Sequence, residues 1–213
     1  MTGSLSTHFR EEGRGFRTRL GLDVRPVRTI LVHIAVVGVF GVFLPFWLGI
    51  QFLSPVTIDA YACLGVLFAA PAAAQAFAGE RPRSMSEALA RIMMAVLYGE
   101  IMGLAILFAG FMTMFFTPSR MFLVFDFVSL GQAIALGLAG SLALSSIAAL
   151  VGLLSSPGAA RMATRVMFLG LLLLFFFRSQ WLPDVIGIGA LVCLGIAIAA
   201  ISALRYAIGN RKS

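Results

Sequence analysis

The chain has 213 residues, of which 60% are hydrophobic and only 12% charged, and its mean hydropathy is +1.00. Soluble domains are typically about 45–50% apolar and about 25% charged, which excludes an ordinary water-soluble enzyme. The apolar residues run on far longer than strands do, so the sequence predicts an all-α, polytopic membrane protein. Six spans of about 20 residues would take more than half of the chain and leave little for a second folded domain.

In chain order, residues 1–28 form a basic segment with an amphipathic pattern. On a helical wheel Leu5, Phe9, Phe16 and Leu20 fall within an arc of roughly 60°, with Arg10, Arg14 and Arg17 on one flank. Such a helix lies in the headgroup plane, although Gly13, Gly15 and Gly21 would also suit a disordered basic leader. The first span is expected over Thr29–Leu53, too long for a signal-peptide core and so retained. The second runs from Thr57 to Ala78. A charged segment, Glu80 to Arg91, then leads into a third span from Ile92 to about Phe116. The fourth covers roughly Phe127 to Leu154 and stops at Ser155-Ser156-Pro157-Gly158. The fifth is the weakest, because Val166 to Phe177 is too short alone. Its helix is expected to start near Ala159, with Arg161 and Arg165 reaching back to the interface. The sixth runs from Asp184 or Val185 to about Tyr206. Residues 29–207 are thus a six-helix transmembrane domain, and 208–213 a short cytoplasmic tail.

The basic residues agree with this count. With both termini in the cytoplasm, fourteen of the 16 Lys and Arg residues fall on the cytoplasmic side and only Arg120 and Arg178 outside. That pattern marks topology and contact with anionic lipids, and it points away from nucleic acid despite a pI near 10.7. A basic cytoplasmic face without a signal peptide suggests a bacterial inner membrane. Cys63 and Cys193 sit within apolar runs, without metal-ligand spacing, and read as small buried hydrophobes.

Catalytic chemistry has little to work with. No GxxxxGK[ST] loop occurs, and the only lysine is Lys212. His8 and His33 are the only histidines, HExxH is absent, and nothing evident would orient His33 against Ser141 as a protease pair. The chain is therefore read as no enzyme, with no cofactor or metal of its own.

The segment between spans two and three carries a family resemblance. Phe77-Ala78-Gly79-Glu80-Arg81, then Arg83-Ser84, then Glu87-Ala88-Leu89 resembles the first cytoplasmic loop of type-2 ABC exporter permeases. The order of parts is also similar: an interfacial N-terminal helix, six spans and both ends inside, a layout shared by the haem-exporter B subunit of cytochrome c maturation. Gly99-Glu100 stands near the place where that family often has Gly-Lys. The resemblance implies a permease subunit that moves an amphipathic or hydrophobic substrate. ATP and Mg would be bound by a separate ATP-binding cassette subunit, and the permease would pair with a second copy or a paralogue. It assigns contact with the ATPase to Glu80, Arg81, Arg83 and Glu87. The residues themselves allow either a solvated connector or a docking element with an apolar stripe of Met85, Ala88 and Leu89. A non-ABC carrier or a membrane assembly scaffold is the rival function.

Three further residue groups stand out. Glu100 lies nine residues past Arg91, about 13 Å into the bilayer, where an ionisable group needs a partner or a polar pathway. It reads either as an inter-helix hydrogen bond or as a gate or substrate contact, with His33 as a candidate partner. Gly137 and Ser141 form a small-xxx-small pair suited to close helix packing or a dimer interface. Gln75 and Gln132 read as polar links between helices.

Overall fold

The computed structural model describes residues 15, 26–43, 64–78, 81–116, 127–156, 158–160, 162–163, 165–167, 169–170 and 186–209. Five helices are defined there, and no strand occurs among the described residues. They are α1 (Pro26–Gly38), which continues as a π-helical turn over Val39–Phe43; α2 (Leu64–Ala78); α3 (Met85–Phe116); α4 (Phe127–Leu154); and α5 (Ile186–Gly209). Residues 158–160, 162–163, 165–167 and 169–170 are also helical. The expected interfacial helix, the turn between the first two spans, most of the fifth span, Glu80 and the last four residues lie outside the described residues.

Three stretches are long and apolar enough to cross a membrane: Met85–Gly110, Ile134–Leu154 and Gly189–Gly209. Each has 21 or more residues, a length of at least about 30 Å at 1.5 Å per residue, which matches the hydrocarbon core. Val27–Phe43 and Leu64–Ala78 are apolar but shorter within the described residues. The chain is a membrane protein on this ground.

Local chemistry sets the helix ends. The described part of α1 begins at Pro26. Helix α4 spans the expected residues, ending at Leu154. Ser156 then starts the next helical stretch: its Oγ accepts from Ala159 N at 3.3 Å and its carbonyl from Ala160 N at 2.8 Å. Helix α3 differs from expectation. It begins at Met85, seven residues before Ile92, because Ser84 caps it and no break separates the charged segment from the span.

The core is built around α2. Eleven of its 15 residues are buried, and seven of the 15 are alanine. Lipid tails are as apolar as leucine, so helices in a bilayer associate through close packing rather than through exclusion of water. Small residues permit that closeness on both sides. Against α3, a Cβ at Gly99 would collide with the Gly65 carbonyl and with Ala69, and one at Gly103 would lie 3.0 Å from Gly65 N. Against α4, a Cβ at Gly152 would strike the Ala74 carbonyl and come within 3.0 Å of Phe77 Cβ. Helix α1 packs on α3 in the same manner at Gly41, where a Cβ would be 2.8 Å from Ile106 O. The outer faces carry the large side chains. Met93, Leu97, Ile101, Leu104 and Phe108 form an exposed stripe along α3 at helical spacing.

The contacts also fix direction. His33 pairs with Tyr98, and Gly41 lies at Ile106, so α1 and α3 run the same way. Arg91 reaches Ala76 while Gly103 meets Gly65, so α2 runs opposite to α3. Gly140 meets Val66 and Gly152 meets Ala74, so α4 is parallel to α2. A Cβ at Gly189 would lie 3.3 Å from Leu136 Cδ1, and Leu204 shares a cluster with Ala148, Ala149 and Leu153, so α5 is parallel to α4.

Close approach predicts which glycines are irreplaceable. Gly99→Ala and Gly152→Ala should each destabilise by about 1–3 kcal/mol through overpacking. Gly195→Ala, with nothing within 4 Å of the added carbon, should gain up to about 1 kcal/mol from helix propensity. Thermal unfolding of the three variants in detergent checks this, and equal melting points would contradict the packing described.

Candidate functional site

The segment from Arg81 to Arg91 is an elbow between α2 and α3, and its geometry follows from four residues. Ser84 is the cap: its Oγ accepts from Glu87 N at 3.2 Å, and its carbonyl accepts from Ala88 N at 3.1 Å. Glu87 answers with its own carboxylate, which accepts from Arg83 N at 2.7 Å through Oε2. This is a capping box, Ser-x-x-Glu, with the carboxylate reaching one residue beyond the cap. The other oxygen, Oε1, pairs with Nη2 of Arg91.

Arg91 is completely buried, with a relative exposure of 0%. Its Nη1 donates to Ala76 O at 3.3 Å, and its guanidinium lies 5.8 Å from the centre of the Phe77 ring. Ala76 is in the last turn of α2, where carbonyls have no partner within the helix, so Arg91 caps α2 from outside. A cation there also complements the helix dipole, and the aromatic face adds a cation–π contact. The Glu87–Arg91 pair therefore fastens the start of α3 to the end of α2. Pro82 is buried beneath the elbow, while Arg81 and Arg83 project from it, exposed.

Two polar contacts lie deeper. The His33 Nδ1–H donates to Thr29 O at 2.7 Å, since a carbonyl can only accept. In the neutral ring, Nε2 then accepts from the Tyr98 hydroxyl at 2.8 Å, and the rings meet edge to face at 5.8 Å. Two residues further along α3, Glu100 accepts from Ser141 Oγ at 2.6 Å through Oε1. Its carboxylate rests on α2 at Gly65, where a Cβ would lie 2.6 Å from Oε1. His33 and Glu100 thus take separate partners on different helices. Gly137 is buried and Ser141 has no exposure, and Ser141 meets α3 of its own chain.

One hydroxyl is anomalous. Ser145, one turn on from Ser141, is fully buried, and its Oγ has no hydrogen-bond partner among the described residues. Ser146 and Ser202 instead donate to the carbonyls of Leu142 and Ile198, four residues back. An unmatched buried hydroxyl costs about 1–3 kcal/mol. Among the described residues, no cluster of three or more His, Cys, Asp or Glu could hold a metal.

The sequence singled out Arg81, Arg83 and Glu87 in the elbow, and the structure separates them: the two arginines are exposed and the glutamate is engaged internally. Sequence reasoning missed Arg91 as a clamp, although its i,i+4 spacing from Glu87 was a legible signal. Tyr98 and the Gly99-x-x-x-Gly103 pair were also missed, and the latter has a recognised helix-packing spacing. No family model, no curated protein and no solved structure matches this chain.

The clamp makes a quantitative prediction. Glu87→Gln leaves a buried guanidinium without its carboxylate and should cost about 3 kcal/mol. Replacing Arg91 by Met in that background should recover part of the loss, because the unpaired charge goes with it. A double-mutant cycle by thermal unfolding measures the coupling; strictly additive losses would show that the pair contributes nothing.

Proposed function

We propose that the chain is the transmembrane subunit of an ABC exporter, moving an amphipathic or hydrophobic substrate with ATP hydrolysed by a separate cassette subunit. The observation that carries this reading is the braced elbow. A membrane protein driven by a soluble motor needs an element that docks on the motor and passes its movement on without yielding. Ser84 and Glu87 stiffen the start of α3, and Arg91 locks it to α2. A push on the elbow would therefore displace α2 and α3 together. The exposed guanidiniums of Arg81 and Arg83 suit an acidic or polar cleft on a partner, where charges fix orientation and association rate.

Helix direction supports the six-span layout. Helices α4 and α5 are parallel, the relation that one intervening crossing, as in the six-span reading, would give. The alternating directions of α1, α2, α3 and α4 fit that reading, in which six crossings put both ends on the elbow's side. The excess of arginine on that side assigns it to the cytoplasm, and a bacterial inner membrane is the compartment that follows. Six crossings per chain suit a pathway completed by a second copy or a paralogue.

Binding and hydrolysis test the proposal. The purified chain should hydrolyse no ATP, and co-expression with a cassette subunit encoded beside it should yield a stable complex with ATPase activity. Arg81→Glu combined with Arg83→Glu should weaken that complex about tenfold, equivalent to roughly 1.4 kcal/mol. Full complex formation by the double variant would remove the elbow from the interface. Glu87→Gln should leave ATP hydrolysis in the assembled complex while transport falls.

A further inference from the structure

Glu100 is half-buried well inside the Met85–Gly110 span. It lies about 22 Å along the helix from Met85 and about 15 Å from Gly110. An ionised carboxyl at that depth needs a counter-charge or a polar pathway. Among the described residues no counter-charge is supplied: Arg91 is held by Glu87 and Ala76, His33 by Thr29 and Tyr98, and Glu100 is bonded only by Ser141. The carboxylate has nonetheless been given a seat. Gly65 lacks the carbon that would occupy its place, and Gly99 and Gly103 bring the α2 backbone against it. Ser145, on the same face of α4 as Ser141 and one turn on, adds a fully buried hydroxyl with no hydrogen-bond partner among the described residues. Leu64, Leu67 and Ile106 form an apolar cluster beside Gly65 and Gly103. An acid, hydroxyls and an adjoining apolar wall together match a positively charged group attached to a hydrophobic body.

We propose that Glu100, Ser141 and Ser145 form an intramembrane binding position for the cationic head of an amphipathic molecule, and that the exported substrate belongs to that class. Glu100 supplies the charge, Ser141 orients it, and the Ser145 hydroxyl gains its missing partner from the bound head. The substrate assignment rests on the transport function proposed above; the binding position does not.

Tetraphenylphosphonium is a suitable probe, with tetraphenylborate as an anion of the same shape. Equilibrium binding is measured on the purified full chain in nanodiscs, with no ATPase subunit present, so failure to find a cassette partner and failure of this site are separate results. The expected outcome is saturable binding of about one cation per chain that tetraphenylborate does not displace. Glu100→Gln, which keeps an acceptor for Ser141, should weaken binding at least about tenfold, and Ser145→Ala about threefold, with melting points held. Absence of saturable phosphonium binding, as when the carboxyl takes up only a proton, would overturn the proposal. So would equal affinity in Glu100→Gln. If that variant does not fold, Ser145→Ala decides, since it removes no hydrogen bond: unchanged affinity there overturns the site.

Discussion

The closeness of α2 to its two neighbours is the constraint on which the other features depend. A bilayer offers little hydrophobic gain for bringing apolar helices together, so contact area at short range has to hold them. Alanine along α2, Gly99 and Gly103 on α3 and Gly152 on α4 remove the side chains that would keep the backbones apart. Both polar arrangements follow from that closeness. Arg91 can reach the Ala76 carbonyl because α3 crosses the end of α2 at short range, and Glu100 can lie on Gly65 only because nothing else occupies that space.

The two arrangements differ in kind. At the elbow, every charge that enters the interior is matched: Glu87 meets Arg91, and Arg91 meets a helix terminus and an aromatic face. A matched cluster holds one shape, which is what an element that transmits force requires. In the middle of the span, Glu100 is given room and one hydroxyl but no cation among the described residues, and Ser145 has no hydrogen-bond partner among them. Under-satisfied groups held in place by their surroundings suit recognition better than stability. On the proposed function, movement enters at the satisfied end and acts on a site that is incomplete until a substrate arrives.

Much of the fold was legible in the sequence. Long apolar runs with small polar breaks placed α4 at its observed residues and the end of α2 at Ala78. The start of α3 was not placed, because Ser84-Met85-Ser86-Glu87 was read for its charge and not as a capping pattern. Arg91 was counted as a cytoplasmic charge; whether an arginine snorkels or folds inward depends on a carbonyl and a ring from another helix, which no local pattern reveals. The depth of Glu100 could be computed from helix rise. Its partner could not, since several hydroxyls and one imidazole lay at similar depth and only the register of α4 against α3 selects Ser141. His33 and Tyr98 meet for the same reason, through the parallel packing of α1 on α3.

The central claim is that the elbow is the surface on which an ATP-hydrolysing partner docks. A photo-crosslinking amino acid at Arg83, which is exposed on the elbow, and another at Leu97, which is exposed on the apolar stripe of α3, test it in cells of the source organism. Irradiation should join position 83 to a protein whose sequence contains a phosphate-binding loop, as identified by mass spectrometry, while position 97 should give no such adduct. An adduct at position 83 lacking any nucleotide-binding motif, or the ATPase captured from position 97 instead, would contradict the account.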